Sequence, residues 1–142
     1  HPLTLGIMNN LGNLLHARAL LQPKFIPGRG PNAKREEELQ RGIKLLREAL
    51  EQSKLVHGPR HVEALISASN LGSALRSLSS MHGNQHDPYL SEEASGLIRE
   101  AVEGITGAWA DLKTLPRART TLLEGLEQLD DEGRAAAKQL SA

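Results

Sequence analysis

The sequence predicts an all-α protein of about five helices, paired as antiparallel hairpins, and three observations carry that expectation. Of 142 residues 39% are hydrophobic but only 2% aromatic, one Phe, one Trp and one Tyr (Phe25, Trp109 and Tyr89). A core must therefore be made of Leu, Ile, Val, Ala and Met, which suits helix against helix better than aromatic-rich β architecture. Apolar residues recur at three- and four-residue intervals and strand-type alternation is absent. Finally, one part of the chain repeats another, the mark of an architecture built from stacked units.

The first helix spans residues 3 to 21, where Leu3, Ile7, Leu11, Leu14, Leu15 and Ala19 keep helical spacing behind Pro2, a residue suited to a first turn. Residues 22 to 34 hold three Pro and two Gly in thirteen positions, so they form a long loop. A second helix starts at Arg35, with Glu36, Glu37 and Glu38 favourable at the positive end of its dipole, and runs through Leu39, Ile43, Leu46, Ala49 and Leu50 until His57-Gly58-Pro59 ends it. The third, about 62 to 79, carries Leu65, Ala68, Leu71, Leu75 and Leu78 on one face, and residues 79 to 88 are a loop of turn formers. The fourth begins at Tyr89 or Ser91, where Ser91-Glu92-Glu93 resembles a cap, and continues through Ile98, Ala101 and Ile105 to Trp109. After Leu115-Pro116 a fifth helix covers about 117 to 140, with Leu122, Leu123, Leu126 and Leu129 before a polar, Ala-rich end.

Laying residues 1 to 15 over 61 to 75 aligns His1 with His61, Leu5 with Leu65, Asn10-Leu11-Gly12 with Asn70-Leu71-Gly72 and Leu15 with Leu75. LLREALE at 45 to 51 likewise matches LIREAVE at 97 to 103, pairing Leu46 with Ile98 and Ala49 with Ala101. The offsets are 60 and 52 residues, so the shared unit is a helical hairpin whose internal loop differs in length between copies. Gly12 and Gly72 remove a side chain where the partner helix must approach, at a propensity cost of ~1 kcal/mol each that packing has to offset. Ala49 and Ala101 do the same from the other side.

These residues, H-P-x-T-L with N-N-L-G-x-L-L, then R-E-A-L-E and H-G-P-x-H, resemble the tetratricopeptide repeat in the longer variety found in kinesin light chains. His57-Gly58-Pro59-Arg60-His61 stands where that variety has the connector between repeats, and Ala49 to Leu71 spans the 22 residues such repeats show. The resemblance implies antiparallel hairpins stacked as a right-handed superhelix in one domain. Repeat one would cover about 1 to 57 with an inserted loop 22 to 34, and repeat two about 61 to 113 with loop 79 to 88. The helix at 117 to 140 would be a cap or partial repeat. Leu15 to Gly42 covers 27 residues and Leu75 to Ala94 covers 19, so both loops carry insertions, of roughly 18 and 10 residues on the family's spacing. Leu15 and Leu75 replace the aromatic usual near the end of the first helix.

In that family the first helices line a concave surface that takes an extended peptide or a partner helix. Carried onto this chain, the resemblance places Asn9, Asn13, His16, Ser69, Asn70, Ser73 and Arg76 on that surface. The chemistry is apt: an amide offers a donor and an acceptor together and can hold a peptide main chain. A structural role competes for Asn10 and Asn70, which stand beside the repeated Leu-Gly pair and are placed to bond a neighbouring helix. A clamp for a C-terminal carboxylate would need several Lys and Arg here, and Arg76 is the one present. The expected function is a non-catalytic protein interaction scaffold.

A second candidate lies in the first loop. From Ala17 to Arg35 there are five basic residues and no acid, so Lys24, Phe25, Arg29, Lys34 and Arg35 form a contact surface for an acidic partner, with Phe25 as apolar anchor. This is the basis of an alternative, a structural subunit of a larger assembly, organellar or ribonucleoprotein, that meets its neighbours through the basic loop. One aromatic and a short basic run make a weak nucleic-acid signal, and a solvated, flexible insertion is the plain reading of the same residues.

The chain has 17 Lys and Arg against 17 Asp and Glu, which removes a whole-chain electrostatic argument for nucleic acid or membrane surfaces. The balance is uneven: ten basic and five acidic residues lie in 1 to 60, seven and twelve in 61 to 142, an asymmetry that speaks to how units dock or stack. Zero Cys excludes disulfides, thiolate metal sites and thiol nucleophiles. No apolar run reaches the length of a membrane span. His82 and His86 flank a turn-rich stretch rather than a helix, and Gly28-Arg29-Gly30 has neither a preceding strand nor a Lys, so neither a metal site nor a phosphate loop is expected. The expectation is no enzyme, no cofactor and no metal.

Overall fold

A computed structural model describes residues 2–81, 88–127 and 131–142. Among them are six α-helices: α1 (Pro2–Leu21), α2 (Ala33–His57), α3 (Val62–Met81), α4 (Pro88–Ala108), α5 (Pro116–Glu127) and α6 (Asp131–Ser141). A 3-10 turn at Asp111–Thr114 joins α4 to α5. The loop between α1 and α2 contains a two-residue antiparallel ladder, β1 (Phe25–Ile26) with β2 (Gly30–Pro31).

The helices pair in order. α1 packs on α2, α3 on α4 and α5 on α6. Both long pairs are antiparallel: Gly12 meets Leu46 while Arg35 reaches Ala19, and Gly72 meets Ile98 while Ser79 reaches Ser91. Successive hairpins stack with equivalent helices side by side, α1 beside α3, α3 beside α5 and α4 beside α6, and α2 wedges onto α3.

The sequence repeat is repeated in the packing. A Cβ placed on Gly12 would lie 2.7 Å from the Leu46 Cγ and 3.0 Å from the Gly42 carbonyl oxygen, and one on Gly72 would lie 2.9 Å from the Ile98 Cγ1 and 3.5 Å from the Ala94 carbonyl oxygen. Gly12 with Leu46 and Gly42 thus corresponds to Gly72 with Ile98 and Ala94, each at the repeat offsets. Ala49 and Ala101 are fully buried. Two further close approaches were not legible: Gly42 against the Gly12 backbone, and Gly104 against the Leu65 side chain.

The core consists of aliphatic side chains, among them Leu39, Leu46, Leu65, Leu71, Leu75, Ile105, Leu122 and Leu126. Trp109 only half enters it. It stands beyond the end of α4, not inside the helix as expected, with the Arg119 guanidinium 4.7 Å over its ring and Arg119 Nε donating to its carbonyl oxygen at 3.2 Å.

Between α1 and α2 the chain is a loop with a defined turn: the Arg29 N–H donates to the Ile26 carbonyl at 3.0 Å over Pro27 and Gly28, whose φ of +78° suits the third position of a type II turn. Asn32 closes the base, Nδ2 donating to the Pro23 carbonyl at 2.9 Å and its N–H to the Lys24 carbonyl at 2.9 Å. α4 begins at Pro88, a residue that fits a first helical position, so Ser91 is no cap and its hydroxyl instead meets that of Ser79 at 3.1 Å. The second expected loop, 79–88, lies largely outside the described residues, and α3 continues to Met81.

The expected helix 117–140 is two helices. Leu122 and Leu126 are buried on α5, which packs against α3, whereas Ala137 is buried on α6, which packs against α4. A straight helix would carry Ala137 about 22 Å along the axis from Leu122, away from α4. The Asp130-Asp131-Glu132 run is the sequence signal for the second start.

Ion pairs tie the second helices of the two long hairpins together. Arg47 pairs with Glu93, and two turns on Lys54 Nζ lies 2.9 Å from Glu100 Oε1. In both pairs the cation comes from α2 and the carboxylate from α4.

Candidate functional site

The first helices of the hairpins enclose a cleft of about 310 Å³. Asn13 and His16 reach it from α1 and Ser69, Asn70 and Ser73 from α3, five of the seven residues expected on a binding surface. Ala17, Leu20 and Gly125 complete the lining. Ala17 and Leu20 follow Asn13 at four and seven residues, so helical spacing alone locates them. Gly125 was not legible, because its position depends on where α5 crosses α3.

The two remaining residues lie apart from the lining. Asn9 is only 7% exposed, and its Oδ1 accepts a hydrogen bond from Asn70 Nδ2 at 3.2 Å, tying α3 to α1. Asn70 therefore performs the structural bonding weighed for it while still lining the cleft; Asn10, weighed alongside it, is exposed. Arg76 is exposed on α3.

His16 Nε2 sits 2.8 Å from the Ser77 hydroxyl, whose Oγ donates to the Ser73 carbonyl at 3.3 Å. Burial pushes the His16 pKa below its ordinary value, because desolvation disfavours the imidazolium. The cleft therefore presents a neutral ring, two amides and hydroxyls, with aliphatic walls at Ala17 and Leu20.

On the second candidate surface the residues divide. Phe25 is 66% exposed on the hairpin, and Lys24, Arg29 and Lys34 are exposed around it. Arg35 does not belong to this surface: it is buried, and its Nε donates to the Ala19 carbonyl at 2.9 Å, satisfying the C-terminal turn of α1. Arg18, counted in the same basic run, pairs with Glu38 at 3.1 Å, and Glu38 also accepts from Gln22. Two of the five basic residues thus tie α1 to α2, and three face solvent.

Elsewhere, a more open hollow of about 710 Å³ lies between Pro59-Arg60 and the Arg99, Glu103 and Gly107 face of α4. Its lining carries charges of both signs, Arg60 and Arg99 with Glu100, Glu103 and Asp111. His57 and His61 stack in the connector at 4.5 Å, and His61 Nδ1 accepts the Glu63 N–H at 3.2 Å at the start of α3. His82, His86 and Asp87 lie outside the described residues. Among the described residues there is no group of three His, Asp or Glu placed to hold a metal ion, and no helix is long and apolar enough to cross a membrane.

Compared with protein-family models, curated proteins and solved structures, the chain matches none.

Proposed function

We propose that the chain is a non-catalytic interaction module of tetratricopeptide-repeat type, whose hairpins stack as a right-handed superhelix and whose cleft between α1, α3 and α5 receives an extended peptide or partner helix. The observation that carries this reading is the convergence of Asn13, His16, Ser69, Asn70 and Ser73 on one cleft formed by the first helices of successive hairpins. Amides and hydroxyls offer donors and acceptors to a main chain without selecting charged side chains. Neither a nucleophile with its base nor a phosphate loop is part of the reading, and no cofactor is invoked.

The test is selection of binders from a displayed random-peptide library on the purified protein. Binders lost with Ser73→Arg, which fills the cleft, and retained with Phe25→Ala support the reading. Binders indifferent to Ser73→Arg and Asn13→Ala overturn it.

A second reading is favoured by the hairpin. Phe25 is held out on a ladder closed by Asn32, with three exposed cations around it, so a subunit role in a larger assembly would work through this surface against an acidic neighbour. Capture abolished by Phe25→Ala and weakened by salt, while Ser73→Arg has no effect, selects it.

A further inference from the structure

The cleft differs from end to end. Asn70 bonds Asn9 and Ser77 meets His16, both pairs 61 residues apart, so α1 and α3 run parallel in fixed register. Ser69, Asn70 and Ser73 therefore stand level with residues 8 to 12 of α1, next to Asn13, and the amides and hydroxyls of the lining gather there. Ala17 and Leu20 continue α1 by one and two turns beyond Asn13. Leu20 is 46% exposed, an aliphatic end to a polar cleft. Among the described residues no charged side chain lines the cleft, so a carboxylate or ammonium brought into it sheds water and finds no counter-ion. Gly125 keeps the polar end open, since a Cβ there would stand 3.2 Å from the Ser69 hydroxyl oxygen.

We propose, on the peptide reading of this cleft, that it selects an uncharged, extended segment of a partner protein whose one aliphatic side chain packs on Leu20. The Asn13 side chain bonds no other described residue, so its amide has a donor and an acceptor to give. Asn70, with Nδ2 spent on Asn9 Oδ1 at 3.2 Å, keeps its own Oδ1 to accept an N–H. Those groups match a main chain whose N–H and C=O are free. A helix arrives with its main-chain groups already paired and leaves Asn13 and Asn70 unmatched, so the cleft fits an extended chain. Seven residues of α1 set Leu20 about 10 Å from Asn13 along the axis, a distance that an extended chain covers in about three residues. Main-chain bonds are common to every peptide, so discrimination falls to the side-chain contact, and Leu20 is the specificity-determining residue of the cleft.

Random-peptide display on the purified parent and on Leu20→Lys, followed by titration of synthetic peptides, tests this. Peptides that bind through the cleft are those lost with Ser73→Arg. Expected is one aliphatic position common to them, where alanine weakens binding about tenfold and an acid or base weakens it further. Leu20→Lys, at an exposed position and with unchanged helicity, should move the preference at that position alone to Asp or Glu. α-Aminoisobutyric acid beside that position, which imposes helix, should weaken binding by about tenfold or more. Cleft-bound peptides that share no aliphatic position, accept a charge there, show no shift toward Asp or Glu on Leu20→Lys, or bind no more weakly with α-aminoisobutyric acid overturn the proposal and leave the cleft a peptide site. If no peptide depends on the cleft, both fall.

Discussion

Gly12 lies so close to Leu46 that a methyl group on its Cα would stand 2.7 Å from the Leu46 Cγ. The two helices of the first hairpin approach at a point where neither has room for another carbon. Gly12→Ala is expected to destabilise by about 1–3 kcal/mol, strain outweighing the gain in helix propensity of ~1 kcal/mol. Leu46→Ala in the same chain relieves the contact, so the double variant loses less than the two single changes added together. Gly96, in the interior of α4, meets nothing within 4 Å, and Gly96→Ala is expected to stabilise by about 0.5–1 kcal/mol. Urea unfolding midpoints with the slope held constant measure both, and a neutral Gly12→Ala would contradict the close packing.

Arg35 holds the turn where α1 ends. Arg35→Ala removes the charged donor of the Ala19 carbonyl, which keeps only the Gln22 N–H at 3.2 Å, and is expected to cost about 1–3 kcal/mol. Lys34→Ala, one residue earlier and exposed, should be near neutral. Equal effects from the two would show that Arg35 acts as surface charge.

The pairs between α2 and α4 are each about two-fifths exposed, so their contribution is small. A double-mutant cycle on Arg47 and Glu93 is expected to return about 0.2–1 kcal/mol, falling as salt is added. Reversing both charges together should recover most of what either reversal alone loses. A coupling indifferent to salt would mean the pair is not electrostatic.

His16 makes stability depend on pH. Its folded pKa is lowered by burial, so the unfolded chain binds a proton that the folded one resists. Stability is full above the ordinary His value of about 6.5 and declines as pH falls through it toward the folded pKa. His16→Gln removes this part of the decline. Unfolding midpoints of parent and variant should therefore converge as pH is lowered from about 7.5 to about 5.5, and parallel curves would refute the assignment.

Helix hairpins were legible because the signals are local: periodic Leu, Pro and Gly punctuation, and a repeat that aligns Gly12 with Gly72 and Leu46 with Ile98. The five cleft residues were legible through the resemblance, which implies the positions of the first helices that line a concave face. What escaped depends on pairings between distant segments. Nothing beside Arg35 says that its guanidinium turns inward to Ala19 instead of outward with Lys34. Asn9 and Asn13 differ by one turn, yet Asn9 is buried and bonded to Asn70 while Asn13 lines the cleft. The second start at Asp131 is hard to see in the sequence because the polar, Ala-rich stretch from Arg134 fits the solvent-facing end of one long helix equally well.

The basic hairpin is closed on itself through Asn32, and every contact that joins α1 to α2, from Gly12 and Leu46 to Ala19 and Arg35, lies outside it. In engineering terms residues 23–32 are a socket: what is inserted there changes neither the register of the helices nor the lining of the cleft. The two hairpins can share one packing scheme with loops of unequal length because length at this point is invisible to the core. A foreign epitope or a second binding loop could be carried there at little more than the entropy of closing a longer loop, ~0.6 kcal/mol for each doubling.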